Sequence, residues 1–135
     1  MNGTIEKLKI LLATFPQIDI VWLFGSRALG KGTPISDWDL AVKFRLAQSW
    51  KEQLHLRFAI SELVGTEQVD LVDWDKAPLP LRYAIVQEGI ILVCQNEELR
   101  VDLLTETRSS YWDFEPYLKE CQDAFFRRIA ERGNI

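Results

Sequence analysis

Two short groups of residues in this sequence could do chemistry, and ten residues separate them. The pair Gly25-Ser26 follows the apolar run Ile18–Phe24, and Asp37 and Asp39 open a second apolar run. Side chains two residues apart on a strand point to the same face, so Asp37 and Asp39 project together while Trp38 points away. Two carboxylates on one face repel each other unless a cation lies between them. This arrangement suits Mg²⁺, which is bound by carboxylates together with substrate phosphates.

The pair Gly25-Ser26 has the properties of a phosphate-binding turn. Gly25 lacks a Cβ and lets an anion approach the backbone, and the Ser26 hydroxyl can donate a hydrogen bond to a phosphate oxygen. We expect a short helix to begin here, through residues 27–29, with its first N–H groups available to an anion. A phosphate-binding turn that faces a carboxylate pair is the minimum equipment for phosphoryl or nucleotidyl transfer.

A third carboxylate of interest is Asp70, in the run Gln68–Trp74, which is predicted to form another strand. In an alternating strand Asp70 shares a face with Val72, and a charge among apolar neighbours indicates a functional role. Asp73 is the alternative if the register of this strand differs by one residue.

The elements that must position these residues alternate between helix and strand. Ile5, Leu8 and Phe15 lie at helical spacing and predict a first helix that ends before Pro16. A second helix is predicted over residues 47–64. It has two apolar stripes, one formed by Leu56, Ile60, Leu63 and Val64 and the other by Trp50, Leu54 and Phe58. Residues 78–87 predict a third helix, and Ile90–Cys94 a fourth strand.

The remainder of the chain is predicted to be helical and is rich in aromatic residues. Leu99 and Leu103 indicate one segment, and a second helix is expected to start near Pro116. The second helix carries an apolar stripe formed by Tyr111, Phe114, Leu118, Cys121, Phe125 and Ile129. Outside that stripe lie Trp112, Tyr117 and Phe126. A helix that is apolar on more than one side buries more than one side, either inside its own domain or against a partner.

Composition limits the possible classes of protein. The chain has 135 residues, of which 47% are hydrophobic and 27% charged, and these values are typical of a globular domain. We expect one domain over residues 1–135, with a core over about 1–95 and a helical segment over about 96–132. The net charge of −4 argues against a nucleic-acid surface. Cys94 and Cys121 lack metal-ligand spacing and are expected to be reduced, and without a membrane span the cytoplasm is the expected compartment.

The order of strand, Gly-Ser, ten residues, Asp-x-Asp and strand resembles the nucleotidyltransferase fold of the DNA polymerase β superfamily. In detail, residues 25–28 (GSRA) and 36–40 (SDWDL) are similar to the minimal nucleotidyltransferases, and the resemblance covers about residues 18–94. It implies an α/β fold with a small mixed sheet of about four strands, flanked by helices and followed by a C-terminal helical segment. The family often has Gly-Ser-Arg-Ala-Arg-Gly, and here Leu29 replaces the second arginine.

The resemblance also implies roles for individual residues. Gly25 and Ser26 would bind the nucleotide, ATP. Asp37, Asp39 and Asp70 would be catalytic and would bind Mg²⁺. Asp70 would act as the general base or as the ligand of a second metal ion.

Minimal nucleotidyltransferases of this kind act as the antitoxin of a toxin–antitoxin pair in which the toxin is a HEPN-domain ribonuclease. The resemblance implies a protein adenylyltransferase that attaches AMP from ATP to a tyrosine of that partner, with no direct contact to nucleic acid. Two alternatives remain: an antitoxin that acts by binding alone, and a stand-alone nucleotidyltransferase that modifies a small molecule such as an aminoglycoside. The intact carboxylate triad argues against the first, and the absence of a substrate-binding extension argues against the second.

Overall fold

The computed structural model of the chain describes residues 2–32 and 36–133. The strands are β1 (Ile18–Phe24), β2 (Trp38–Phe44), β3 (Val69–Asp73) and β4 (Ile90–Cys94). The helices are α1 (Asn2–Ala13), α2 (Trp50–Val64), α3 (Leu79–Glu88) and α4 (Glu97–Gly133). A 3-10 turn over Trp74–Lys76 follows β3.

The four strands form one mixed sheet in the order β3-β2-β1-β4. Strand β1 pairs antiparallel with both β2 and β4, and β2 pairs parallel with β3. The predicted mixed α/β fold is therefore confirmed. The predicted bounds of β1 and β4 agree with the structure because both strands are predominantly apolar, with Asp19 the one charged residue in β1, as expected of strands that are covered by other elements.

Helices cover both faces of the sheet. The core on the first face contains side chains of α1 and α2 packed on the sheet, among them Leu8, Leu12, Leu56 and Ile60. The core on the second face contains Ile85 of α3, with Leu99 and Leu103 of α4 packed against it. On this second face the rings of Trp22 and Trp74 stack with their centroids 4.7 Å apart.

The α2 helix begins at Trp50, directly after its N-cap residue Ser49 and three residues later than predicted. The Ser49 hydroxyl accepts a hydrogen bond from the Glu52 N–H, and the Glu52 side chain accepts one from the Ser49 N–H, which forms a capping box. One predicted stripe faces the core, since Leu56 and Ile60 are buried. The other stripe faces solvent, and its residues Trp50, Leu54 and Phe58 are exposed.

The C-terminal part is one helix rather than the two that were predicted. Pro116 lies inside α4 and does not start a new helix. Proline removes one N–H and leaves the carbonyl of Trp112 without its helical partner. Trp112 is 78% exposed, so water can reach that carbonyl, and the helix continues.

The part of α4 from residue 112 onward, called distal α4 here, differs from its beginning. Thr107 is buried, and the Tyr111 ring stacks on Tyr83 of α3 with centroids 3.7 Å apart. From residue 112 to 130, every side chain that the structure describes is exposed except those of Leu118 and Ala124, which are half-buried.

Nowhere in residues 2–32 and 36–133 does a helix combine the length and apolarity needed to cross a membrane.

Candidate active site

The Gly-Ser turn, residues 25–30, leads out of β1 and is not the short helix that was predicted. The Leu29 N–H donates to the Gly25 carbonyl at 3.3 Å, and the Lys31 N–H donates to the Ser26 carbonyl at 2.9 Å. Gly30 then has a φ of 72°. This left-handed conformation ends the coil after one turn, because it cannot continue a right-handed helix.

The register of the sheet brings two of the predicted carboxylates together. Asp39 of β2 lies directly opposite Asp70 of β3 in the parallel pair, and Asp37 immediately precedes β2. Trp38 is buried in the core on the α1–α2 face, so Asp39 points to the other face, as predicted. We call this end of the sheet, with Asp37, Asp39 and Asp70, the carboxylate edge.

Asp73, the alternative to Asp70, lies at the other end of β3. It pairs with Val42, and its carboxylate accepts a hydrogen bond from the Asp75 N–H at 3.1 Å. This contact caps the 3-10 turn that follows. The structure therefore brings Asp70, and not Asp73, to the carboxylate edge.

Gly25 packs directly against the carboxylate edge. Phe24 pairs with Asp39 across β1 and β2, and the chain then turns at Gly25 with a φ of 76°. A Cβ built on Gly25 would overlap the Oδ2 of Asp39 and lie 3.1 Å from its Cγ. Only glycine allows this approach, so the Gly-Ser turn and the Asp-x-Asp segment are in direct contact.

The electrostatics of the carboxylate edge favour a cation. Partial burial raises the pKa of Asp39 above its ordinary value, and the negative charges of Asp70 and then Asp37 raise it further. A positive ion placed between these groups would reverse this effect, because it stabilises the ionised carboxylates. The donor set consists of carboxylate oxygens, which are the ligands that Mg²⁺ prefers.

The residues that the structure describes do not form a complete protein cage for a metal. Across the described ranges 2–32 and 36–133, no group of three or more histidine, cysteine, aspartate or glutamate side chains is arranged to hold a metal ion. Mg²⁺ is usually bound by one or two carboxylates together with substrate phosphates, so the arrangement fits an ion that arrives with a nucleotide.

Sequence reasoning missed one residue that contacts both motifs. Arg27, in the Gly-Ser turn, donates hydrogen bonds to the Ser36 carbonyl and lies over the Trp38 ring. Its position between the two motifs was the only available signal. No local pattern distinguishes an arginine that is bonded to the backbone from one that is exposed to solvent.

Comparison with known proteins now identifies the family. Residues 6–98 match the family described as polymerase beta, nucleotidyltransferase, and these residues make up more than half of the chain. The chain belongs to this family. The match includes the Gly-Ser turn and all three carboxylates of the edge, so the geometry above is that of a nucleotidyltransferase domain.

One relative of this nucleotidyltransferase is the "Probable protein adenylyltransferase MntA" of Haemophilus influenzae. It is 34% identical over 82 residues, which cover 61% of this chain and 70% of the relative. A chain from the structure of a toxin–antitoxin with AMP-PNP aligns with a TM-score of 0.75 and 22% identity, over 92% of this chain and 98% of that chain. At this identity the likeness shows a shared fold.

A second solved structure contains the tri-AMPylated HEPN toxin of Shewanella oneidensis in complex with an MNT antitoxin. The alignment has a TM-score of 0.72 and 22% identity, and it covers 93% of this chain and 99% of that chain. The shared fold therefore extends beyond residues 6–98 and includes much of α4.

Proposed function

We propose that this nucleotidyltransferase is a Mg²⁺-dependent protein adenylyltransferase and the antitoxin of a toxin–antitoxin pair. It would act in the cytoplasm and transfer AMP from ATP to a tyrosine hydroxyl of a HEPN-domain ribonuclease. The observation that carries the proposal is the direct pairing of Asp39 with Asp70, with Gly25 packed against Asp39. The name of the Haemophilus relative and the two toxin–antitoxin structures support the choice of acceptor.

The Gly-Ser turn would bind the triphosphate of ATP. Gly25 presents backbone without a side chain, and the Ser26 hydroxyl can donate to a phosphate oxygen. Asp37 and Asp39 would hold Mg²⁺ against the same phosphates, with Asp70 available to a second ion. When bound, magnesium neutralises the charge that develops on the phosphates and on the departing pyrophosphate.

In the transfer step the tyrosine oxygen of the partner attacks the α-phosphorus of ATP. Asp70 accepts the proton of the attacking hydroxyl, which requires the carboxylate to lie within hydrogen-bonding reach of the acceptor. The new bond joins the tyrosine oxygen to the α-phosphorus. The bond from the α-phosphorus to the bridging oxygen breaks, and its electron pair leaves with pyrophosphate. Asp70 is exposed, so a side chain of a second protein can approach it.

Distal α4 would supply part of the surface that binds the partner. Trp112, Phe114 and Tyr117 are exposed by 78%, 42% and 63%, and large aromatic side chains often anchor protein interfaces. The sequence also predicts contacts from Phe125 and Phe126, whose side chains lie outside the described part of the structure.

The test is an intact-mass measurement of the HEPN-domain partner after incubation with ATP and Mg²⁺. We expect wild type to add one or more AMP groups and Asp39→Asn to add none, although the variant still binds the partner. Loss of a metal ligand should cost about a thousandfold or more in rate. If wild type adds no AMP and still neutralises the toxin, the protein is an antitoxin that acts by binding alone.

A further inference from the structure

Arg27 joins the Gly-Ser turn to the beginning of β2. Its Nε and Nη2 donate to the Ser36 carbonyl oxygen at 3.2 and 2.8 Å. Its guanidinium carbon lies 4.1 Å from the centroid of the Trp38 ring, which is a cation–π contact. Ser36 and Trp38 are the residues directly before and after Asp37. One side chain of the Gly-Ser turn therefore contacts both sequence neighbours of Asp37.

The stem of Arg27 is also fixed in place, by Gly32. A Cβ built on Gly32 would lie 2.8 Å from the Cγ and 3.2 Å from the Cα of Arg27. Side chains do not normally approach this closely, so the backbone at Gly32 packs on the arginine stem. Arg27 is therefore held by packing at its stem and by hydrogen bonds at its guanidinium group.

Arg57 makes a simpler contact of the same kind on β3, with one hydrogen bond to a main-chain carbonyl. The Gln68 carbonyl accepts a hydrogen bond from the Trp38 N–H at 2.9 Å, and successive carbonyls of a strand point to opposite sides. The Val69 carbonyl therefore points away from β2, at the outer edge of the sheet. Arg57 of α2 donates to it from Nε at 2.9 Å. Asp70 is the next residue, so Arg57 fixes the backbone that carries it.

We propose that Arg27 and Arg57 are positioning residues for nucleotidyl transfer, which hold the backbone directly before Asp37 and Asp70. This inference rests on the proposed function. Both guanidinium groups donate to main-chain carbonyls, so holding the backbone is sufficient to account for an arginine at each position. An error of about 1 Å in the placement of reacting groups can cost ~100-fold in rate. Loss of either arginine should therefore reduce the turnover number strongly, while the folding stability decreases only as much as in a control variant.

Arg82 provides a matched control. Its Nε and Nη2 donate to the carbonyls of Trp74 and Asp75 at 3.0 and 3.1 Å. Its guanidinium carbon lies 5.2 Å from the centroid of the Trp74 ring. It therefore repeats the contacts of Arg27 beyond the opposite end of β3, away from the carboxylate edge. A lysine keeps the charge at each position but loses the planar guanidinium group, whose Nε donates a hydrogen bond at all three positions and whose Nη2 donates a second at Arg27 and Arg82.

The experiment compares Arg27→Lys, Arg57→Lys and Arg82→Lys with wild type. Three quantities are measured: the turnover number at saturating ATP and partner, the Kd of a non-hydrolysable ATP analogue by calorimetry, and the Tm. We expect similar decreases in Tm for all three variants and changes in Kd below about threefold. Turnover by Arg27→Lys and Arg57→Lys should fall ~10–100-fold below that of Arg82→Lys.

If Arg27→Lys or Arg57→Lys turns over as fast as Arg82→Lys, the proposal for that arginine is overturned. Recovery of full turnover at high ATP, together with a matching increase in Kd, also overturns it, because the arginine would then bind substrate. If wild type transfers no AMP, the proposed function fails and this inference fails with it. An active wild type with active lysine variants refutes the positioning role alone.

Discussion

The carboxylate edge and distal α4 differ in what holds their side chains in place. At the edge, Asp39 is partly buried, faces Asp70 across a strand pair and contacts Gly25. In distal α4 the aromatic side chains of Trp112 and Tyr117 extend into solvent. Nucleotidyl transfer requires reacting groups that are fixed to within fractions of an ångström, and a sheet supplies this accuracy. A recognition surface requires exposed area, and a helix that extends beyond the core supplies it.

The largest expected effect tests the carboxylate edge. Asp70→Asn should reduce AMP transfer by about a thousandfold, because the proton acceptor or metal ligand is lost, while ATP binding stays near that of wild type. The measurement is the initial rate of transfer, with the ATP affinity determined by calorimetry.

Asp73→Asn is the matched control, three residues further along the same strand. Asparagine caps about as well as aspartate, and its amide oxygen can still accept the hydrogen bond from the Asp75 N–H, so the substitution should cost little stability and leave the chemical step intact. If Asp70→Asn transfers AMP normally and Asp73→Asn does not, the third catalytic carboxylate is Asp73 and not Asp70.

The next effect tests distal α4. A chain that ends after Tyr111 keeps the stack on Tyr83, and it should fold and bind ATP like the full chain. Its affinity for the HEPN-domain partner should fall by about 100-fold or more, since a few aromatic anchors often carry most of the binding energy. Calorimetric titration of the partner and of ATP measures both quantities.

A double substitution tests the same surface of distal α4 in the full-length chain. Trp112→Ser combined with Tyr117→Ser should reproduce the loss of affinity. The control, Trp50→Ser combined with Phe58→Ser, removes exposed aromatic residues of α2 and should leave partner binding unchanged. The opposite result would assign the partner surface to α2. If the truncated chain unfolds, distal α4 belongs to the core rather than to an interface.

A smaller effect tests the contact between the two motifs. Gly25→Ala and Gly30→Ala both place a Cβ on a residue with left-handed backbone, at φ values of 76° and 72°. This strain should lower the free energy of unfolding of each variant by about 1–2 kcal/mol. Only at residue 25 does the new Cβ meet Asp39 Oδ2, whereas nothing lies within 4 Å at residue 30. The additional overlap should cost a further ~1–3 kcal/mol and reduce transfer. Equal unfolding free energies for the two variants would contradict this close contact.

The smallest effect concerns pH. Folding raises the pKa of Asp39 above its ordinary value of 3.8, so the folded state binds this proton more tightly than the unfolded state. The resulting loss of stability develops as the pH rises from 3.8 through the raised pKa, and it is fully present above that.

Without metal and nucleotide, Asp39→Asn should therefore be more stable than wild type at neutral pH. Solvent screening at this partly exposed group keeps the gain below about 1 kcal/mol. Thermal unfolding across the acid range measures the difference, which should disappear below pH 3.8. A variant that is less stable than wild type at neutral pH would contradict a raised pKa of Asp39, which burial and then the charges of Asp70 and Asp37 produce in the folded protein.

The amino-acid sequence by itself determined most of the elements and indicated the candidate site residues. Predominantly apolar runs defined β1 and β4, and a periodic stripe indicated α2, because these signals depend on residues close together in the chain. The spacing of Gly25, Asp37 and Asp39 was sufficient to indicate nucleotide chemistry.

The tertiary structure alone decided how these parts meet. The pairing of Asp39 with Asp70 depends on the order and register of strands that lie far apart in the chain, and the contact of Gly25 with Asp39 depends on the turn between them. Pro116 predicted a helix start from local preference, yet the exposure of α4 allows the helix to continue through it. Periodicity shows which face of an element is apolar, but only packing shows what covers that face. For this reason the exposed stripes of α2 and distal α4 could not be distinguished from core in the sequence.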